Sequence, residues 1–156
     1  MDAIWKFYHA DKSSTITEDT EKNDTMLTCL KEFRWNDDTL KSLIIQGPPG
    51  CGKTNWAKLY CKKPALFISH LDRLKDLDIS FHKSIIFDDM DFKHLPRTSQ
   101  IHLVDRENPR DIHVRYNVAF IPARIEKIFT CNEYPFLADP AVSRRTKIFN
   151  VINQII

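Results

Sequence analysis

The chain has 156 residues, which suggests one domain large enough to bury roughly 70% of the surface its unfolded form would expose. Charged residues are plentiful, but the formal net charge is only +2, so any electrostatic footprint for a polyanion has to be local. No stretch approaches the ~20 apolar residues that span a bilayer, so no membrane partner is expected, and the opening Met1-Asp2-Ala3-Ile4-Trp5-Lys6 is not a secretory signal.

Residues 10–25 are almost wholly polar and read as a linker or solvated segment, preceded by a short arm carrying Ile4, Trp5, Phe7 and Tyr8. Met26, Leu27, Leu30 and Phe33 stand at helical spacing and predict a helix near 25–35. The boundary therefore falls at about residue 24, with an N-terminal arm over 1–24 and the folded domain over 25–156. Leu40–Gln46 is an apolar strand ended by Gly47, and a helical face of Trp56, Leu59 and Tyr60 follows within Lys53–Tyr60. Ala65–Ser69 predicts a second strand, Leu71, Leu74 and Leu77 a short helix, and Ser84–Asp89 a third strand ending in two carboxylates. Leu95–Val104 reads as a helix with Pro96 in its first turn. Ile112–Tyr116 alternates apolar and polar and pairs with Val118–Ile121 as a hairpin. Lys127–Asn132 and Lys147–Val151 close the series. Apolar strands alternating with helices imply an α/β fold with a mainly parallel, covered sheet.

The four cysteines, Cys29, Cys51, Cys61 and Cys131, form no C-x-x-C pair and have no histidine at metal-ligand spacing. They are expected to be reduced thiols of an intracellular protein, without structural zinc.

The chemistry concentrates in Gly47-Pro48-Pro49-Gly50-Cys51-Gly52-Lys53-Thr54, a full match to the phosphate-binding loop G-x-x-x-x-G-K-[ST]. Glycine permits positive φ and close approach of phosphate to the backbone. Successive N–H groups then form an anion nest at a helix N-terminus. Lys53 would reach the β- and γ-phosphates of ATP, and the Thr54 hydroxyl would ligate Mg²⁺. The three glycines of this loop are the only ones in the chain, which packing alone does not explain.

Asp88 and Asp89 end an apolar strand. Adjacent carboxylates repel unless a cation joins them. Asp88 is the candidate to hold Mg²⁺ through water, and Asp89 the candidate to orient or deprotonate an attacking water; an ordinary Asp-Asp turn is the plainer alternative. Asp91 reads as a spare, solvated carboxylate. Asn132, at the end of the next apolar strand, either bonds the γ-phosphate or its water, or caps a turn. Arg144 and Arg145 are either a solvated face or an arginine finger for a neighbouring subunit.

Gly47–Thr54 with Asn55-Trp56-Ala57, Ile85–Asp89, Asp105-Arg106-Glu107-Asn108-Pro109-Arg110 with Ile112–Tyr116, and Ile128–Asn132 occur in an order that resembles a known family. It is the superfamily-three helicase domain of replication-associated (Rep) proteins from circular single-stranded DNA viruses and related plasmids. The resemblance runs from about residue 43 to 151. It implies an AAA+-like P-loop NTPase with a β-hairpin insertion, hydrolysing ATP while it moves along single-stranded DNA in rolling-circle replication. It makes Asn132 a sensor and places a trans-acting arginine at Arg144 or Arg145, with Arg145 slightly favoured. It places DNA contacts in the hairpin region 105–122, carried over by position to His113, Arg115, Tyr116 and Asn117, with Arg110 close behind. A homo-oligomeric ring, usually a hexamer, is implied, acting in the host nucleus, or in the cytoplasm if the source is a bacterial plasmid. Family members usually begin with a nicking endonuclease domain. Nothing before Gly47 supplies its histidine pair and tyrosine, so this chain is expected not to nick, being either an excised helicase domain whose full-length protein carries the N-terminal nicking domain or a chain that has lost the nuclease. The competing expectations are a nucleotide or nucleoside kinase, a nucleotide-gated assembly or DNA-binding module without unwinding, and an RNA helicase of the same superfamily.

Overall fold

The computed structural model describes residues 13–17, 28–35 and 39–151. They form an α/β fold in which helices flank a mixed six-stranded sheet. In chain order the elements are β1 (Ser14–Ile16), α1 (Thr28–Glu32), β2 (Ser42–Gln46), α2 (Lys53–Tyr60), β3 (Ala65–Ile68), a 3-10 helix (Leu71–Asp76), β4 (Ser84–Asp88), α3 (Arg97–Val104), β5 (Arg110–Val114), β6 (Asn117–Ile121), β7 (Glu126–Cys131), α4 (Pro140–Ser143) and β8 (Thr146–Asn150). The sheet order is β1-β3-β4-β7-β2-β8, and β5–β6 form a separate hairpin. Every neighbouring pair in the large sheet is parallel except β1–β3.

The apolar runs of β2, β4 and β7 occupy the middle of this order, where both faces are covered. Alternate residues feed two separate cores. Ile44, Ile85, Phe87, Phe129 and Cys131 face α3, the hairpin and the 3-10 helix. Leu43, Ile45, Ile86 and Ile128 face Trp56 and Ala57 of α2 and Leu30 of α1. Chain order and sheet order differ because β7 inserts between β2 and β4. That crossover leaves a crevice at the carboxyl ends of the strands, where α/β sheets receive ligands.

Several boundaries differ from the sequence expectations. Part of the supposed linker, Ser14–Ile16, is an edge strand in register with β3. An edge strand needs a ladder on one side only. Here the polar side chains add their own bonds, Ser13 Oγ donating to Asp76 Oδ2 at 2.7 Å and Thr15 Oγ1 meeting His82 Nε2 at 3.1 Å. The rest of the N-terminal arm and the start of the helix expected near 25–35 lie outside the described residues. Phe33 stands beyond α1 and stacks on Phe149 of β8 at 3.9 Å between ring centres. α3 begins at Arg97, with Pro96 as the residue before it. The short α4 was not anticipated. It starts where the Asp139 carboxylate accepts from the Ala141 N–H at 2.9 Å and Pro140 supplies a preset φ.

Candidate phosphate-binding site

The Gly47–Thr54 loop follows the carboxyl end of β2 and opens into α2. Gly47 lies so close to Val151 that an added Cβ would sit 2.7 Å from the valine's Cβ. Gly50 and Gly52 hold φ of 78° and 91°, the left-handed region that side chains disfavour. The backbone N–H groups of Gly50, Cys51 and Gly52 take no acceptor among the described residues. Unsatisfied donors at a helix N-terminus form a pocket suited to an anion.

Lys53 folds back over this loop and is buried. Its ammonium donates to the carbonyls of Gly47 at 2.7 Å and Pro48 at 2.9 Å, and to Asn132 Oδ1 at 3.0 Å. All three of its protons are thereby used. Thr54 Oγ1 donates to Asp88 Oδ1 at 2.6 Å although β7 stands between β2 and β4. The sequence-expected residues Lys53, Thr54, Asp88 and Asn132 thus meet at the carboxyl ends of the three middle strands.

One participant escaped the sequence reading. Thr130, opposite Asp88 in the β4–β7 register, donates its hydroxyl to Asp88 Oδ1 at 2.9 Å. The same carboxylate oxygen therefore receives two hydroxyls. The signal was a polar residue directly after the apolar pair Ile128-Phe129 of β7. The backbone N–H of Asp89 donates to the Thr130 carbonyl at 2.9 Å, and Asp89 has φ of 52°. Non-glycine residues hold such φ values rarely, and aspartate tolerates them better than most. The turn leaves the Asp89 side chain exposed at the mouth of the site, with no hydrogen-bond partner among the described residues. Asp91 is exposed and caps the Lys93 N–H. Beneath these groups Phe87 stacks on Phe129 and Phe92 on Phe136, a rigid aromatic floor. Burial pushes the Cys131 thiol up to about 11, so it stays protonated.

The hairpin tip is the two-residue turn Arg115-Tyr116, since Val114 pairs with Asn117. Tyr116 is 92% exposed, and the Arg115 guanidinium lies over its ring at 5.1 Å. The Arg115 N–H donates to Asp72 Oδ1 at 2.9 Å, resting the tip against the 3-10 helix. His113 and Asn117 are exposed as well. Arg110 is placed differently from the other expected DNA contacts. It sits at the hairpin base, donating Nε to Asp105 at 2.8 Å and meeting His102 at 3.2 Å.

The paired arginines also divide. Arg145 turns inward, donating to the Ala141 carbonyl at 2.7 Å with its Nε 4.0 Å from Asp105. Arg144 is exposed, with no side-chain partner among the described residues. The slight preference for Arg145 as the outward-reaching arginine therefore meets a side chain already engaged. Both precede β8, whose first residue pairs with Ser42 at the amino end of β2. The five-residue β2, about 17 Å long at strand rise, separates them from their own chain's loop.

A cleft of about 390 Å³ opens beside Asp89 toward the hairpin, lined among others by His70, Asp72, His94, His113 and Arg115. Compared with models of known families and with curated proteins, the sequence finds no match.

Proposed function

We propose that this chain is the ATP-hydrolysing domain of a superfamily-three type DNA helicase, working as a ring on single-stranded DNA. The observation that carries the reading is the convergence of Lys53, Thr54, Asp88, Asp89 and Asn132, from three separate segments, around a glycine loop with unpartnered N–H groups. A triphosphate is the ligand that such a set suits: backbone donors for the phosphate chain, an ammonium for the terminal phosphates and carboxylates on the far side.

Mg²⁺ fits the residues present. Thr54 and Asp88 are hard oxygen donors 2.6 Å apart. Among the described residues no three His, Cys, Asp or Glu side chains gather to hold a metal unaided. Mg²⁺ needs only one or two protein donors when phosphates and waters supply the rest. When bound it would neutralise developing charge on the phosphates. Thr130 would steady the Asp88 carboxylate, Lys53 would exchange its loop carbonyls for phosphate oxygens, and Asp89 would hold the attacking water. Asn132 would bond the γ-phosphate or that water. The Arg115-Tyr116 tip pairs a cation for phosphate with a ring for base stacking, which supports single-stranded DNA as the polymer. The distance of Arg144 from its own loop supports a finger acting on a neighbouring copy.

The cleft beside Asp89 offers room for a phosphoryl acceptor and so favours a nucleotide or nucleoside kinase as the second reading. Steady-state ATP hydrolysis with and without single-stranded DNA, at a concentration that permits assembly and alongside Lys53→Ala, separates the two. DNA-stimulated turnover that vanishes in the variant supports the motor ATPase. Transfer of phosphate to an added nucleoside, indifferent to DNA, supports the kinase and removes the helicase.

A further inference from the structure

Asp105 is 1% exposed and stands at the amino ends of β2 and β7, beside Ser42 and Lys127, opposite to the candidate phosphate-binding end. Its Oδ2 receives Arg110 Nε and Nη2, each at 2.8 Å, and the Asn108 amide at 3.3 Å. Its Oδ1 receives the Glu107 N–H at 2.9 Å and faces Arg145 Nε at 4.0 Å. The Asp105 carbonyl accepts from Lys127 Nζ of β7 at 2.9 Å. Among the described residues it is the one acidic side chain ion-paired with Arg110 or Arg145. Arg110 opens the hairpin, whose other end lies beside Asp89, and Arg145 adjoins the exposed Arg144. One buried carboxylate therefore joins the base of the hairpin to the segment that carries Arg144.

We propose that Asp105 is a positioning residue: by holding Arg110 and Arg145 together it sets Arg144 toward a neighbouring copy and ties that setting to the hairpin. This rests on the ATPase reading above. The Asp105 carboxylate touches no nucleotide, so its loss leaves the chain's own phosphate loop intact while misplacing the arginine it presents to its neighbour. Two defective subunits should then complement each other. A Lys53→Ala subunit binds no nucleotide but presents a correctly set Arg144. An Asp105→Asn subunit binds nucleotide but presents a misplaced one.

The test measures ATP turnover and fluorescent-nucleotide affinity of the full chain, each variant alone, and their equimolar mixture. Asp105→Asn alone is expected to lose turnover about tenfold or more, to keep nucleotide affinity within about twofold, and to recover activity on mixing with Lys53→Ala. Asp105→Glu should restore part of the turnover alone. Should Asp105→Asn fail to fold, Arg145→Gln takes its place in the same mixing scheme. An unaltered chain that neither binds nor hydrolyses ATP removes the ATPase reading and this proposal with it. An active unaltered chain whose mixture shows no recovery, or whose Asp105→Asn and Arg145→Gln variants turn over normally, removes the proposal alone.

Discussion

Lys53 and Asn132, 79 residues apart in the chain, meet at 3.0 Å where β7 ends beside the glycine loop. The amide oxygen accepts a hydrogen bond from the ammonium, which fixes the lysine over the loop. Removing the ammonium should be far worse than removing the amide. Lys53→Ala should abolish tight ATP binding. Asn132→Ala should leave affinity close to the parent's and lower turnover about 10²-fold, the scale of losing one donor to a reacting oxyanion. Titration with a fluorescent nucleotide and steady-state hydrolysis separate the two effects. Equal loss of affinity in both variants would reduce Asn132 to a support for Lys53.

Asp88 and Asp89 are neighbours in sequence with opposite settings, one bonded by two hydroxyls and the other exposed at the mouth. Asp89→Asn should therefore bind nucleotide and lose turnover, whereas Asp88→Asn should weaken the Mg²⁺ dependence of binding itself. Thr130→Val offers a milder probe. It removes one of the two hydroxyls on Asp88 and should cost about 1 kcal/mol of stability. It should also raise the Mg²⁺ concentration needed for half-maximal turnover. Normal hydrolysis in Asp89→Asn would reassign the water-positioning role.

The contrast between these residues indicates what a sequence can reveal. Lys53, Thr54, Asp88 and Asn132 were legible because each ends or follows an apolar run, and because a chain with three glycines places them all in one loop. Thr130 was not, since a lone threonine in a buried strand reads as filler until its register with Asp88 is known. β1 was hidden because an edge strand is held by backbone pairing and needs little apolar content. The hairpin tip lacked an Asn-Gly or Asp-Gly signal, its turn being made by Tyr116 at φ of 60°. Likewise, the inward engagement of Arg110 and Arg145 depends on their meeting Asp105 in three dimensions, which no spacing encodes.

Gly47 gives a test of the loop that requires no nucleotide. A methyl group there would press on Val151 at 2.7 Å, and the Val151 N–H is itself bonded to the Gln46 carbonyl at 2.7 Å. Neither neighbour yields easily. Gly47→Ala should lower stability by about 1–3 kcal/mol, the range for overpacking, read as a shift in the denaturant midpoint. Gly50→Ala meets no atom within 4 Å, so its cost comes only from the positive φ and should be about 1 kcal/mol. Comparable midpoints for the two variants would refute the close approach at Gly47.

The hairpin should divide by position. Tyr116→Ala at the exposed tip should leave the melting temperature unchanged and weaken single-stranded DNA binding by about 1–3 kcal/mol, the value of one stacked base. Arg110→Ala at the base should act mainly on the fold, because it strips the buried Asp105 of its best partner. Its expected signature is a lower melting temperature with a smaller change in DNA affinity per folded molecule. Thermal melts combined with fluorescence anisotropy on a labelled oligonucleotide distinguish these outcomes. A destabilised Tyr116→Ala would mean that the tip belongs to the core after all.

Lys127 adds a pH dependence of known sign. Its side chain is 1% exposed, and burial, together with the Arg106 and Arg110 charges, pushes its ammonium down from the ordinary 10.5 to about 7, against the pull of Asp105. Between those values the folded chain holds fewer protons than the unfolded chain. Its stability therefore climbs as pH rises through that window, and the penalty is fully present below pH 7. Lys127→Met keeps the length of the side chain and removes the titration. Its advantage in melting temperature over the parent should be largest at pH 7 and below, then shrink steadily toward pH 10 as the parent's unfolded lysine approaches the pH at which it too loses its proton. Melts of both proteins across that range check the slope, and an advantage that grows with pH would mean that Lys127 is buried as the cation, held by Asp105.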